Sequence, residues 1–181
     1  YSAFFMSEID KFLSYLRSEK RSSVHTVQAY KTDIEQFQAY IQHTFEESDI
    51  LKATSVMVRS WIASMKADGL RSRSMHRKRS SLSSFYKFGR RQGWLTVDPV
   101  KRSVAPKMEK RLPVFVDEKG MHDLLEEPGF FGDNFFGLRD RLMVTLLYEC
   151  GIRRAELIGI KDEDIDMGRQ QVRIFGKRSK E

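Results

Sequence analysis

From Ile9 to Phe88, apolar side chains return every third or fourth position, and the period breaks only at polar capping residues or a glycine. Ile9, Phe12, Leu13 and Leu16 predict a first helix over about 6–20. Ser22 or Ser23 can cap a second, with Val27, Tyr30, Ile34, Phe37 and Ile41 along one face. Thr54 can cap a third, which turns Val58, Trp61, Ile62 and Met65 inward and stops at Gly69. Ser72 can cap a fourth, which turns Met75, Leu82, Phe85, Tyr86 and Phe88 inward and reaches about Arg91. No single stripe of this kind can bury itself. Four of them joined by short connections predict a compact all-α four-helix domain over residues 1–104.

Charge separates this region from the rest of the chain. The net charge is +7, with 40% hydrophobic and 31% charged residues, which describes a globular rather than a disordered protein. Residues 1–104 carry 18 basic and 10 acidic side chains, whereas residues 105–181 carry 14 and 15. Between Gly69 and Val97 stand Arg71, Arg73, Arg77, Lys78, Arg79, Lys87, Arg90 and Arg91, with no acid among them. Such a surplus points to a polyanion, most simply double-stranded DNA, bound through its phosphates. Arg71, Arg73, Arg77, Lys78 and Arg79 are the candidate contacts. The competing reading is a solvated helix face.

Asp98-Pro99 marks the exit from the helical region, and the proline-bearing segment 105–112 predicts a linker. Residues 113–181 then read as a mixed α+β unit. Asp117 can cap a short helix through Leu125, and Phe130–Gly137 is loop-like. Leu138, Leu142, Met143, Leu146 and Leu147 predict the core face of a further helix. Cys150, the single cysteine, reads as part of that apolar helix and fits a reducing cytoplasm. Ile165, Val172 and Ile174 flank Met167-Gly168-Arg169 as a short antiparallel hairpin. Asp162-Glu163-Asp164-Ile165-Asp166 lacks the glycine and terminal glutamate of a calcium loop and reads as a solvated turn. The histidines have no ligand spacing, so neither a metal nor a cofactor is expected. No apolar run is long enough to span a membrane.

At Gly151 a helix should stop, because glycine accepts the left-handed cap that other residues resist. Ala155-Glu156-Leu157 then reads as a new helical turn, which places Arg153 and Arg154 at the junction. An arginine there can aim its planar fork at a phosphate, or it can pair with Glu156 or Glu149.

Gly151-Ile152-Arg153-Arg154-Ala155-Glu156-Leu157 resembles the Gly-x-Arg-x-x-Glu-Leu signature of the tyrosine recombinases (phage-integrase type), near their Xer-like branch. Val172-Arg173-Ile174-Phe175-Gly176-Lys177 is similar to the family's strand and hairpin bearing its catalytic lysine, and residues 23–30 with 72–86 look like its core-binding domain. The resemblance implies a SAM-like helical DNA-binding domain followed by the front part of a catalytic domain. It implies Arg153 as the first catalytic arginine, Glu156 as its orienting neighbour and Lys177 as the general acid on the leaving 5′-oxygen. Taken alone, Lys177 reads rather as an exposed hairpin lysine.

The implied activity is site-specific strand exchange through a 3′-phosphotyrosyl intermediate, carried out with other recombinase protomers in a synaptic complex and without ATP. Chromosome-dimer resolution and mobile-element integration share these motifs. The family's later His-x-x-Arg box and nucleophilic tyrosine have no match after Lys177. The 181 residues are therefore expected to bind DNA without cleaving it. His76-Arg77-Lys78-Arg79 is a formal His-x-x-Arg, but it precedes Arg153 and reads as a coincidence of the basic helix. A non-catalytic DNA-binding module is the alternative.

Overall fold

The computed structural model describes residues 6–104, 106–107 and 115–176. The chain divides into two compact units at Arg111/Leu112.

The first unit is built from α1 (Glu8–Ser18), α2 (Val24–Phe45), α3 (Ser55–Ala67) and α4 (Ser72–Arg91). Three of the four starts are capped by side-chain oxygens. Ser7 Oγ accepts from Asp10 N, Ser23 Oγ from Thr26 N at 3.2 Å and Thr54 Oγ1 from Met57 N at 3.4 Å. The start of α4 departs from expectation, because Ser72 is its first helical residue and Arg71 holds the cap position. The preceding turn explains the shift. Gly69 takes a left-handed conformation at φ +75°, and Leu70 N–H donates back to the Met65 carbonyl at 3.0 Å. Only Leu70 and Arg71 then separate this closed turn from the next helix.

Helix α4 packs on α1, α2 and α3, so one helix carries much of the core. Phe12, Ile34, Phe37, Ile41, Val58, Leu82, Phe85 and Tyr86 are all but inaccessible to solvent. Full burial of side chains of this kind stabilises a fold by about 1.5–3 kcal/mol each relative to exposure. Tyr86 reaches through the core, and its hydroxyl donates to the Ile50 carbonyl at 2.7 Å. The same burial raises the Tyr86 phenol far above its ordinary pKa.

The second unit contains α5 (Glu118–Glu126), α6 (Phe135–Glu149), α7 (Arg154–Ile158) and an antiparallel pair, β1 (Ile165–Asp166) with β2 (Gln171–Val172). Asp117 and Asn134 cap α5 and α6. Because Asn134 caps, α6 begins two residues before the expected end of the loop at Gly137. In the hairpin Ile165 faces Val172 and Asp166 faces Gln171, and Ile174 lies beyond the paired residues.

Two expectations are corrected in this unit. Leu138, Leu142, Met143 and Leu147 do not form a buried face, and Leu146 is only half-buried. Cys150 is exposed, because it lies at the C-cap of α6 and not within its apolar length. No described residue of the second unit is fully buried, whereas the first unit has a closed core.

Candidate functional site

Arg153 stands at the junction between α6 and α7. Gly151 leaves α6 in the left-handed conformation, at φ +60°, and Arg153 takes the extended cap position of α7. Glu156, three residues on, curls back to that cap. Arg153 N–H donates to Glu156 Oε2 at 2.8 Å, and Arg153 Nη1 donates to Glu156 Oε1 at 2.7 Å. The first of these bonds is the reciprocal half of a capping box. The second holds one edge of the guanidinium, whose side chain remains 74% exposed.

Both bonds favour the ionised carboxylate. Glu156 is held below the usual carboxylate range first by the backbone N–H of Arg153, then by its side-chain hydrogen bond, against a small opposing effect of burial. Of the pairings open to Arg153 in the sequence, the one with Glu156 is therefore present. It leaves the arginine oriented, with most of its donors open to solvent. Tyr148 precedes the junction on α6 and is exposed, and Arg154 opens α7 and is also exposed. Lys177 lies outside the described residues, as do Ala105 and residues 108–114 of the linker region.

The five basic candidates, Arg71 at the N-cap of α4 and four within the helix, divide by environment. Arg71 and Arg73 are exposed, and no side-chain partner is found for either among the described residues. Lys78 is buried. Its ammonium reaches Asp33 Oδ1 at 3.1 Å and also donates to Gln36 Oε1. Arg79 turns toward the chain leaving the helical unit, donating from Nε to the Ser103 carbonyl and hydroxyl at 3.0 and 3.1 Å and from Nη2 to the Val100 carbonyl at 3.3 Å.

His76 joins Arg79 in this work, with Nε2 2.7 Å from the Pro106 carbonyl. The formal His-x-x-Arg is thus a clasp on Val100, Ser103 and Pro106. Arg77 is half exposed and pairs with Asp33 Oδ2 at 2.5 Å. Asp33 is the residue that sequence reading missed. It is an acid of α2 with no exposure, 44 and 45 positions from its partners. Local spacing carries no signal of such a pairing.

Two family models divide the chain between them. Residues 9–93 match the phage integrase N-terminal SAM-like domain, and residues 115–181 match the phage integrase family. The chain belongs to the phage integrase family of tyrosine recombinases. Curated tyrosine recombinases named XerC are similar to it. One from Staphylococcus carnosus is 36% identical over 178 residues, covering 95% of this chain and 57% of that protein. One from Myxococcus xanthus is 35% identical over 173 residues, covering 96% and 56%. The chain thus spans a little over half the length of these relatives.

Among solved structures, the Tn1549 transposon integrase in complex with circular intermediate DNA has a similar fold. It has a TM-score of 0.62 at 15% identity, and covers 90% of this chain and 52% of its own.

Proposed function

We propose that the protein containing this chain is a site-specific DNA recombinase, in which the helical unit grips duplex DNA and Arg153 serves the reacting phosphate. The observation that carries this is the Arg153–Glu156 junction, where a capping carboxylate fixes an arginine whose fork stays open to solvent. In strand exchange a tyrosine phenolate attacks phosphorus, the bond to the 5′-oxygen breaks, and a 3′-phosphotyrosyl bond stores the energy for religation. Negative charge grows on the non-bridging oxygens as this happens. A preorganised bidentate donor stabilises that charge most strongly at the transition state. Lys177 is assigned the proton for the departing 5′-oxygen, by its place in the family pattern.

Arg71, Arg73 and Arg77 are assigned to backbone phosphates of double-stranded DNA. Lys78 and Arg79 are assigned to holding α4 and its exit segment in place, because their polar atoms are spent within the chain. Other recombinase protomers are the expected partners, and the cytoplasm, where the chromosome lies, is the expected compartment.

The test is Arg153→Ala in the full-length protein, with gel-shift affinity and cleavage of a nicked suicide duplex measured together. Many dispersed phosphate contacts set the affinity, so it should stay within a few-fold. Cleavage should fall by roughly 10²–10³, the cost of losing one preorganised donor. Normal cleavage by the variant would show that Arg153 only pairs with Glu156, and would favour a non-catalytic DNA-binding module.

A further inference from the structure

One stripe of α2, made of His25, Gln28, Ala29, Thr32 and Asp33, borders an open groove of about 350 Å³ closed on its other side by Arg77 of α4. At the bottom lies the Asp33 carboxylate, wholly withdrawn from water. A carboxylate tolerates that only when its oxygens are fully engaged by donors. Here Lys78 supplies one, Arg77 a second, and Ser81 Oγ a third at 2.7 Å to Oδ2. Two cations on one carboxylate leave a surplus positive charge, and Arg77, half exposed, is the cation at the groove. Asp33 engages Nη1 of Arg77, while Nε and Nη2 have no partner among the described residues. His25, Gln28 and Thr32, all exposed, add polar groups to the opposite wall.

We infer that this groove seats one phosphate of the DNA backbone, and that Asp33 is the positioning residue that fixes Arg77 to receive it. This rests on the assignment of the helical unit to duplex DNA. An arginine already held by a buried carboxylate has lost its rotamer freedom before binding, so the contact forms at lower entropic cost. The acid therefore acts against its own sign. A negative charge near DNA repels it, yet this one promotes binding because it aims a fork.

The sign of one substitution decides the matter. The 181-residue chain is titrated against two duplexes of unrelated sequence over a series of salt concentrations. Arg77→Gln should weaken both several-fold and reduce the magnitude of the log–log salt slope by about 1, as expected when one phosphate is no longer neutralised. Asp33→Asn, which removes a negative charge, should nevertheless weaken binding. Tighter binding by Asp33→Asn would make Asp33 a simple repulsive charge and overturn the positioning role.

Weaker binding to only one duplex with an unchanged slope for Arg77→Gln would mean a base contact and overturn the phosphate seat. An unchanged slope on both duplexes would overturn it as well. If Asp33→Asn does not fold, as judged by circular dichroism, Arg77→Lys replaces it. That variant keeps the charge without the fork, so it should remain weakened, and full recovery would refute the role of Asp33. A parent chain that binds neither duplex would instead refute the DNA-binding assignment itself, whatever Arg77 does.

Discussion

Arg79→Ala separates a structural arginine from a DNA contact. Arg79 makes three hydrogen bonds to the exit segment, at 3.0, 3.1 and 3.3 Å. Val100 O keeps other donors when they are removed, because Ser103 N–H and Ser103 Oγ both bond to it. The Ser103 carbonyl loses its charged donor inside a residue only 3% exposed. A hydrogen bond to a charged group contributes about 1.5–3 kcal/mol, and the guanidinium is half-buried, so the expected loss is about 2 kcal/mol. For a unit of this size, that lowers Tm by on the order of 10 °C. Thermal melts followed by circular dichroism, together with urea titration on Trp61 and Trp94 fluorescence, measure the loss. The DNA salt slope, measured below the variant's melting range, should not change. Stability within about 0.5 kcal/mol of the parent, with a slope reduced by about 1, would refute the clasp and return Arg79 to the phosphate contacts.

Tyr86→Phe should cost about 1 kcal/mol in urea unfolding, because the Ile50 carbonyl loses the hydroxyl but keeps Ala53 N–H. In a titration of absorbance near 295 nm, Tyr15 should ionise below the ordinary tyrosine pKa near 10, since the hydrogen bond from Arg91 lowers its pKa against the opposing effect of burial, and Arg91→Gln should move the Tyr15 step upward. Its stabilising share is complete above the ordinary tyrosine pKa near 10 and is lost as pH falls through the lower folded value. Tyr86 has the opposite sign: the unfolded chain ionises first, so stability falls as pH rises past about 10. In the full-length protein Glu156→Gln should slow cleavage while leaving duplex affinity intact, because its single amide oxygen can keep only one of the two bonds that hold Arg153. The depressed Glu156 pKa means its pairing is complete above the ordinary glutamate range and is lost only as pH falls through the lower folded value, so the parent should show no loss of orientation between pH 5 and about pH 8.

Periodicity disclosed the helical unit because its stripes bury one another: Phe12, Phe37, Trp61 and Phe85 were assigned inward by spacing and lie inside. The hairpin and the left-handed Gly151 were equally legible, since each depends on residues within a few positions. Burial in the second unit was not. Leu138 and Leu142 have helical spacing, but spacing names a face without supplying the surface that covers it, and both remain exposed. The basic helix misled in a different way. Counting charges treats Lys78 and Arg73 alike, while Asp33 draws Lys78 inward from the far side of a helix pair. Arg153 and Glu156 were legible as a pair because they stand three positions apart at a helix start.

Helix α4 turns Met75, Leu82, Phe85, Tyr86 and Phe88 into the core, ties Lys78 to Asp33, and spends Arg79 on the chain that leaves the unit. Eight of its twenty residues are buried, so the helix cannot be varied as a whole. Substitutions that spare the core are confined in practice to exposed positions, Arg71 and Arg73 at one end, Ser80 in the middle and Lys87 and Arg90 at the other. A library that randomised the whole helix would consist mostly of chains that cannot fold. One confined to those positions would vary the surface charge of a scaffold that stays intact.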